Sequence, residues 1–254
     1  MKMKKKATAV IQARYCSTRL PGKVLLPLVG KPVIQHVYER VLTCKRVDRI
    51  VVAISDNHKD DKICKLFKKI GVSVFRGSED DPLERYYRAA EHFGLKHLVR
   101  IMADCPLVDP QIVDDVIESY FINDLDLCYL GGEFPTGLDV TVFSYDTVKK
   151  SNHEALLKSE REHVTPYMVK HPEIFKVGMF QKFNGLKKYR WVMDHKEDYE
   201  LVVKIYDKLY NQDKVFCTGQ ILDLLREQPY LTSLNSHIPR DEGYKLSVKH
   251  DRIV

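Results

Sequence analysis

The sequence predicts an α/β fold organised around a largely parallel sheet. Short apolar runs of strand length alternate with longer stretches through the first half of the chain, and those stretches repeat apolar residues every three or four positions. Such alternation is the pattern of βαβ units, because each buried parallel strand needs a crossover that packs back onto the sheet.

The first strand is predicted at 7–13, where A-T-A-V-I-Q-A is apolar almost throughout, as burial on both faces requires. Further strands are predicted at 49–54, 73–75, 98–102 and 125–129. Between them, 33–42, 59–70, 82–93 and 111–121 have helical spacing, and Pro32 and Pro110 suit first-turn positions. The second half is less regular: strands are expected at 140–143, 175–179 and 190–193, and a helix at 161–169. Two helices follow at 197–210 and 218–227, with Thr218 as N-cap and Pro229 as a stop. No repeat, low-complexity linker or compositional boundary interrupts the chain, so residues 1–254 are expected to form one domain, with halves at about 7–130 and 131–237. The tail after His237 is polar and expected to be peripheral.

Composition excludes several classes of function. The chain has 254 residues, 44% apolar and 30% charged, ordinary for a globular protein. No segment approaches the roughly 20 apolar residues of a membrane span, so a soluble chain with no membrane partner is expected. Met1 to Lys6 reads as a frayed basic tail; the apolar run behind it ends at Gln12 and Arg14, too soon for a secretory signal, which predicts a cytoplasmic protein. Cys16, Cys44, Cys64, Cys105, Cys128 and Cys217 are scattered without C-x-x-C spacing, as reduced thiols rather than zinc ligands or a disulfide framework would be. The net charge of +6 is spread along the chain and interrupted by acidic runs such as Glu79-Asp80-Asp81, which favours small anionic ligands over nucleic acid.

The strongest local signal is I-Q-A-R-Y-C-S-T-R-L-P-G-K, from Ile11 to Lys23, directly after the first strand. In open α/β sheets ligands gather outside the carboxyl ends of strands, so this segment is placed to touch one. Arg14, Arg19 and Lys23 supply cations, Ser17 and Thr18 hydroxyls, and Gly22 room for close backbone approach. A polyphosphate needs such donors: guanidinium forks bind oxygens in pairs, and a lysine neutralises charge at one point. The alternative is a solvated basic loop. The spacing is not that of a Walker loop.

Asp104 follows the strand at 98–102, and Asp194 follows the strand expected at 190–193. Two carboxylates at strand ends match Mg²⁺, which takes one or two of them and leaves its other positions to phosphate and water. Either aspartate could instead cap the next helix. Thr136, Asp139, Glu162, His163, Tyr167 and Trp191 could form a polar acceptor pocket with an aromatic wall; each could equally be structural.

The block Q-A-R-x-x-S-T-R-L-P-G-K-x-L-x-x-x-x-G-K-P resembles the signature of cytidylyltransferases such as CMP-Kdo synthetase and acylneuraminate cytidylyltransferase. The likeness is nearer to the spore-coat polysaccharide biosynthesis protein F type. It covers roughly Ala7 to His237 and includes F-R-G-S-E-D-D, R-I-M-A-D-C-P-L-V-D-P, F-P-T-G-L-D-V and R-E-H-V-T-P-Y. The resemblance implies a Rossmann-like nucleotidyltransferase fold of three layers, a homodimer, and CMP transfer from CTP to a sugar acid or small phosphorylated acceptor with release of pyrophosphate. It makes the first half nucleotide-binding and the second acceptor-binding and dimerising. Asp104 and Asp194 become ligands of a catalytic Mg²⁺, with His195 and Lys196 standing where sugar-acid enzymes often have Thr and Pro. Arg14, Lys23 and Asp104 become catalytic; Gln12, Ala13, Arg14, Ser17, Arg19 and Lys23 would hold the nucleotide, and Arg76, Gly77 and Ser78 its base and ribose. Competing readings are a nucleotide-sugar glycosyltransferase, which usually shows a D-x-D motif absent around Asp104, and a scaffold that binds nucleotide without turnover.

Overall fold

The computed structural model describes residues 5–254; the first four residues of the expected basic tail, 1–4, lie outside it. Strands β1 (Ala7–Gln12), β4 (Val47–Ser55), β5 (Ser73–Gly77) and β6 (His97–Met102) are connected through helices α1 (Val33–Leu42), α2 (Asp61–Lys69) and α3 (Pro82–Phe93). The two-residue strands β2 (Pro27–Leu28) and β3 (Lys31–Pro32) make a small hairpin before α1. Helix α4 (Pro110–Ile122) leads to β7 (Leu127–Gly131), and β8 (Thr141–Ser144) and β9 (Val177–Gln181) complete the sheet.

The order across the sheet is β5-β4-β1-β6-β8-β7-β9. All neighbours run parallel except at β8, which is antiparallel to both β6 and β7. Side-chain direction alternates along each strand, so Ala9 and Ile11 face one helical layer and Val10 the other. One layer contains α1, α2, α4, α8 (Lys196–Leu209) and α9 (Thr218–Glu227); the opposite layer contains α3, α5 (Tyr145–Glu154) and α7 (Pro166–Lys170). The result is a Rossmann-like, three-layer α/β fold. From β1 the chain builds outward through β4 and β5, then returns to place β6 on β1's other side. That reversal opens a crevice at the carboxyl ends of β1 and β6, where a bound ligand finds backbone groups unshielded by a crossover.

Several expected elements differ. Residues 190–193 form no strand: Arg190 makes a single bridge to Thr136, and the next inward hydrogen bond is from Met193 N to the Asp104 carbonyl at 2.9 Å. The apolar run there is core packing without a ladder. The helix expected at 161–169 is two, α6 (Lys158–His163) and α7, because Val164 stands at φ 72°, outside the right-handed helical region. Cys217, not Thr218, occupies the N-cap of α9, and the Thr218 N–H instead donates to Asp109 at 2.8 Å. Helix α5 was not expected; α10 (Tyr230–Ser233) and α11 (Glu242–Lys249) finish the chain. The polar tail is not peripheral, since α11 packs on α6 beside the crevice. No helix among the described residues is long and apolar enough to cross a membrane.

Candidate active site

The crevice holds a cavity of about 710 Å³. One wall is the loop from Arg14 to Lys23. The loop is pinned at its start by Asp60, almost wholly buried, whose carboxylate accepts from Tyr15 N at 2.6 Å, Ser55 N at 2.8 Å and Ser55 Oγ at 2.6 Å. It closes through Gly22 N to the Tyr15 carbonyl at 3.1 Å. Lys23 then opens a short 3₁₀ turn, Lys23–Leu25, which aims its side chain back into the crevice.

There the ammonium of Lys23 donates to Asp104 Oδ2 and, at 2.5 Å, to Asp194 Oδ1. Arg19 meets the other oxygen of Asp194 at 3.1 Å, with Arg190 behind at 3.7 Å. Burial works against the charge on Lys23, but the two carboxylates outweigh it and leave its pKa above the ordinary lysine value. Burial likewise pushes Asp194 up, yet Lys23, Arg19 and Arg190 hold it below the usual carboxylate value. A carboxylate oxygen of each aspartate thus meets one cation position. This donor set fits a hard divalent ion: two carboxylates from separate elements converge, and no third His, Cys, Asp or Glu joins them among the described residues, which leaves coordination positions for phosphate and water.

Asp194 is held from beneath. Asp198, fully buried in the first turn of α8, takes Arg190 in a fork at 2.8 and 3.0 Å and accepts from the backbone of Asp194 and His195 at 2.9 Å each. Asn235 adds a bond at 2.8 Å to Asp198 and another to the Arg190 carbonyl.

Of the residues expected to hold an acceptor, Thr136, Asp139, Glu162 and His163 line the same cavity. Asp139 accepts from Gly137 N at 2.8 Å, and desolvation lifts its pKa. His163 is pushed down to about 4, chiefly by burial, with Glu162 opposing and Arg100 and Arg14 reinforcing, so it stands neutral near pH 7. Its Nε2 lies 3.1 Å from Ser247 Oγ, which donates to Glu162 at 2.9 Å. Gly137 is required where it stands: its φ is 93°, and a Cβ would meet the backbone of Trp191 and Val192 at 2.6 Å. Gly137→Ala is expected to destabilise the fold by about 1–3 kcal/mol or more, read as a lower urea midpoint with unchanged slope.

All the expected phosphate-loop residues, Gln12, Ala13, Arg14, Ser17, Arg19 and Lys23, line the cavity together with Asp104 and Asp194. Arg76, Gly77 and Ser78 do not line it; Arg76 turns outward to Asp61 at 2.5 Å and to the Asn57 carbonyl at 2.8 Å. Tyr167 is tied to Glu154 at 2.8 Å outside the cavity, and Trp191 is core, 1% exposed. Sequence reasoning missed Arg85, Arg100, Arg190 and the residues of α11, Glu242, Tyr244 and Ser247 among them, which also line the cavity. Arg85 carried a signal, being a charge on the apolar face of α3; α11 lies in a polar tail and carried none.

A cytidylyltransferase family model matches residues 8–224, most of the chain. The chain belongs to the cytidylyltransferase family. Spore coat polysaccharide biosynthesis protein SpsF of Bacillus subtilis is 33% identical to this cytidylyltransferase over 227 residues, covering 87% of this chain and 94% of that protein. A 3-deoxy-manno-octulosonate cytidylyltransferase of Geobacter sulfurreducens is 38% identical over 112 residues, 43% of each chain. The solved structure of a cytidylyltransferase from Leptospira borgpetersenii superposes with a TM-score of 0.84 at 31% identity, covering 90% of this chain and 97% of that one. The family match ends before α11, whose residues also line the cavity.

Proposed function

We propose that the protein is a Mg²⁺-dependent cytidylyltransferase that transfers CMP from CTP to a sugar acid or small phosphorylated acceptor and releases pyrophosphate, in the synthesis of a surface polysaccharide or related glycan precursor. The observation that carries this reading is the meeting of Lys23, Asp104 and Asp194 on one cation position, from three segments far apart in sequence. An acceptor oxygen attacks the α-phosphorus in line; the new P–O bond forms as the bond to the bridging oxygen of the β-phosphate breaks. Arg14, Arg19 and Lys23 line this cavity and would stabilise charge on the α-phosphate and the leaving pyrophosphate. Mg²⁺ held by Asp104 and Asp194 would supply charge neutralisation and favour ionisation of the acceptor. Glu162, His163, Asp139 and Thr136 offer the hydrogen bonds that orient a polyhydroxylated acceptor, the proximity on which such a transfer depends. The six cysteines are all free thiols, in keeping with work in the reducing cytoplasm. The homodimer expected of the family belongs to the same reading.

The test is a matrix of nucleoside triphosphates against sugar acids, sugar phosphates and small phosphorylated metabolites, with Mg²⁺ and a pyrophosphate readout. The expected result is pyrophosphate release from CTP that requires both an acceptor and the metal and stops with EDTA. With nucleotide sugars supplied as donors in a parallel arm, release of a nucleoside mono- or diphosphate would instead identify a glycosyltransferase. Nucleotide binding without any product would leave a scaffold.

A further inference from the structure

Ser247 sits on α11, a helix that buries none of its own residues and docks on α6. Its hydroxyl stands between two residues of the cavity wall, 2.9 Å from Glu162 Oε2 and 3.1 Å from His163 Nε2. A hydroxyl has one proton to give and a carboxylate can only accept, so that proton goes to Glu162. Ser247 Oγ must then accept from its other neighbour, and the hydrogen between them belongs to His163 Nε2.

His163 is neutral near pH 7, because burial is joined by Arg100 and Arg14 against protonation and Glu162 alone favours it. A neutral imidazole carries one N–H, so with Nε2 protonated the other nitrogen, Nδ1, is a bare acceptor. Nδ1 has no hydrogen-bond partner among the described residues and is not one of the buried orphan atoms, so it opens onto the cavity that the ring lines. Tyr244, one turn earlier on α11, meets the imidazole edge to face at 5.0 Å and 82° and holds its plane.

An entering acceptor therefore meets, at this point, a nitrogen that only accepts. A hydroxyl can donate to it; a carboxylate or phosphate oxygen cannot, and is left to Arg14 and Arg100 in the same cavity. The matched family segment ends at residue 224, so this control reaches the site from a part of the chain outside that segment.

Resting on the cytidylyltransferase reading, we infer that Ser247 is a positioning residue for the acceptor: through the chain Glu162–Ser247–His163 it holds His163 in its Nε2–H form, so that Nδ1 receives a hydroxyl of a hydroxylated acceptor.

The test compares the full chain with its Ser247→Ala and Ser247→Thr variants, which should fold alike because α11 gives no residue to the core. Nitrogen-15 NMR of the imidazole rings, with His163→Gln to assign the signal, should show wild-type His163 protonated at Nε2 alone near pH 7. Ser247→Ala should give a mixture of the two tautomers, and Ser247→Thr, which keeps the hydroxyl, should return the Nε2–H form. With the acceptor that yields pyrophosphate in the matrix above, Ser247→Ala should raise the KM for acceptor by about 3- to 10-fold, the loss of one hydrogen bond, with kcat and the KM for CTP near wild type and the threonine variant restored. A wild-type His163 protonated at Nδ1 overturns the inference, and so does a tautomer that Ser247→Ala leaves unchanged. An equal rise in both KM values also overturns it, since α11 would then be a general prop. If wild type binds CTP yet releases no pyrophosphate with any acceptor, the transferase reading itself fails and takes this inference with it.

Discussion

Asp104→Asn and Lys23→Ala are each expected to lower turnover by about 10²- to 10³-fold, the usual loss when one preorganised charge is removed from a polar active site. Asparagine keeps the shape of the side chain and the Asp104 carbonyl that receives Met193 N, so the crevice should hold its form. What goes is one of the two anionic oxygens that meet the shared cation. Lys23→Ala removes the cation instead and leaves Asp104 and Asp194 facing each other; added Mg²⁺ should then stabilise this variant more than wild type, because the ion relieves their repulsion. The measurements are pyrophosphate release from CTP with an active acceptor, circular dichroism for folding, and melting with and without Mg²⁺. Wild-type turnover in either variant would sink the site assignment.

The phosphate loop was legible because its donors are contiguous and follow an apolar run, so one strand prediction places them all. Asp104 and Asp194 were legible for a related reason, each following an apolar run, although the run before Asp194 is loop and not strand. Their convergence on Lys23 depends on the side-by-side placement of β1 and β6 and on the Met193 bond to Asp104, and no local pattern encodes either. The turn after β5 shows the limit most clearly. Arg76 and Arg85 are both basic residues near one turn, but Arg76 projects from the edge strand β5 to solvent-side acceptors, while Arg85 is drawn inward with the apolar face of α3. The motif marks the neighbourhood; the register of the strand and the phase of the helix decide that Arg85, and not Arg76, lines the cavity. Tyr167 and Trp191 are aromatics whose burial is spent on the core, and the contribution of α11 comes from tertiary docking, Asp251 on Ser159 and Ser247 on Glu162, across more than 80 positions of chain.

Asp198→Ala is expected to destabilise the protein by about 3–5 kcal/mol, the range for removing one partner of a buried ion pair. The carboxylate is wholly buried and receives Arg190 through two bonds, the Asp194 and His195 N–H groups, and Asn235. Alanine strands every one of those donors, and the Arg190 guanidinium, 7% exposed, loses its only close fork partner among the described residues and cannot recover the loss from water. For a chain of this size the melting temperature should fall by roughly 6–20 °C. Asp198→Asn should fall in the same direction by less, since the amide keeps one acceptor while turning an N–H toward the donors already present. The same carboxylate sets the backbone of Asp194, so in a folded Asp198→Asn protein the affinity for Mg²⁺ with CTP should drop while binding of inorganic triphosphate without metal stays near wild type. A melting shift within about 2 °C for Asp198→Ala would mean that Arg190 finds another partner, and that Asp194 is positioned by Lys23 and Arg19 from above and not by the buried fork below.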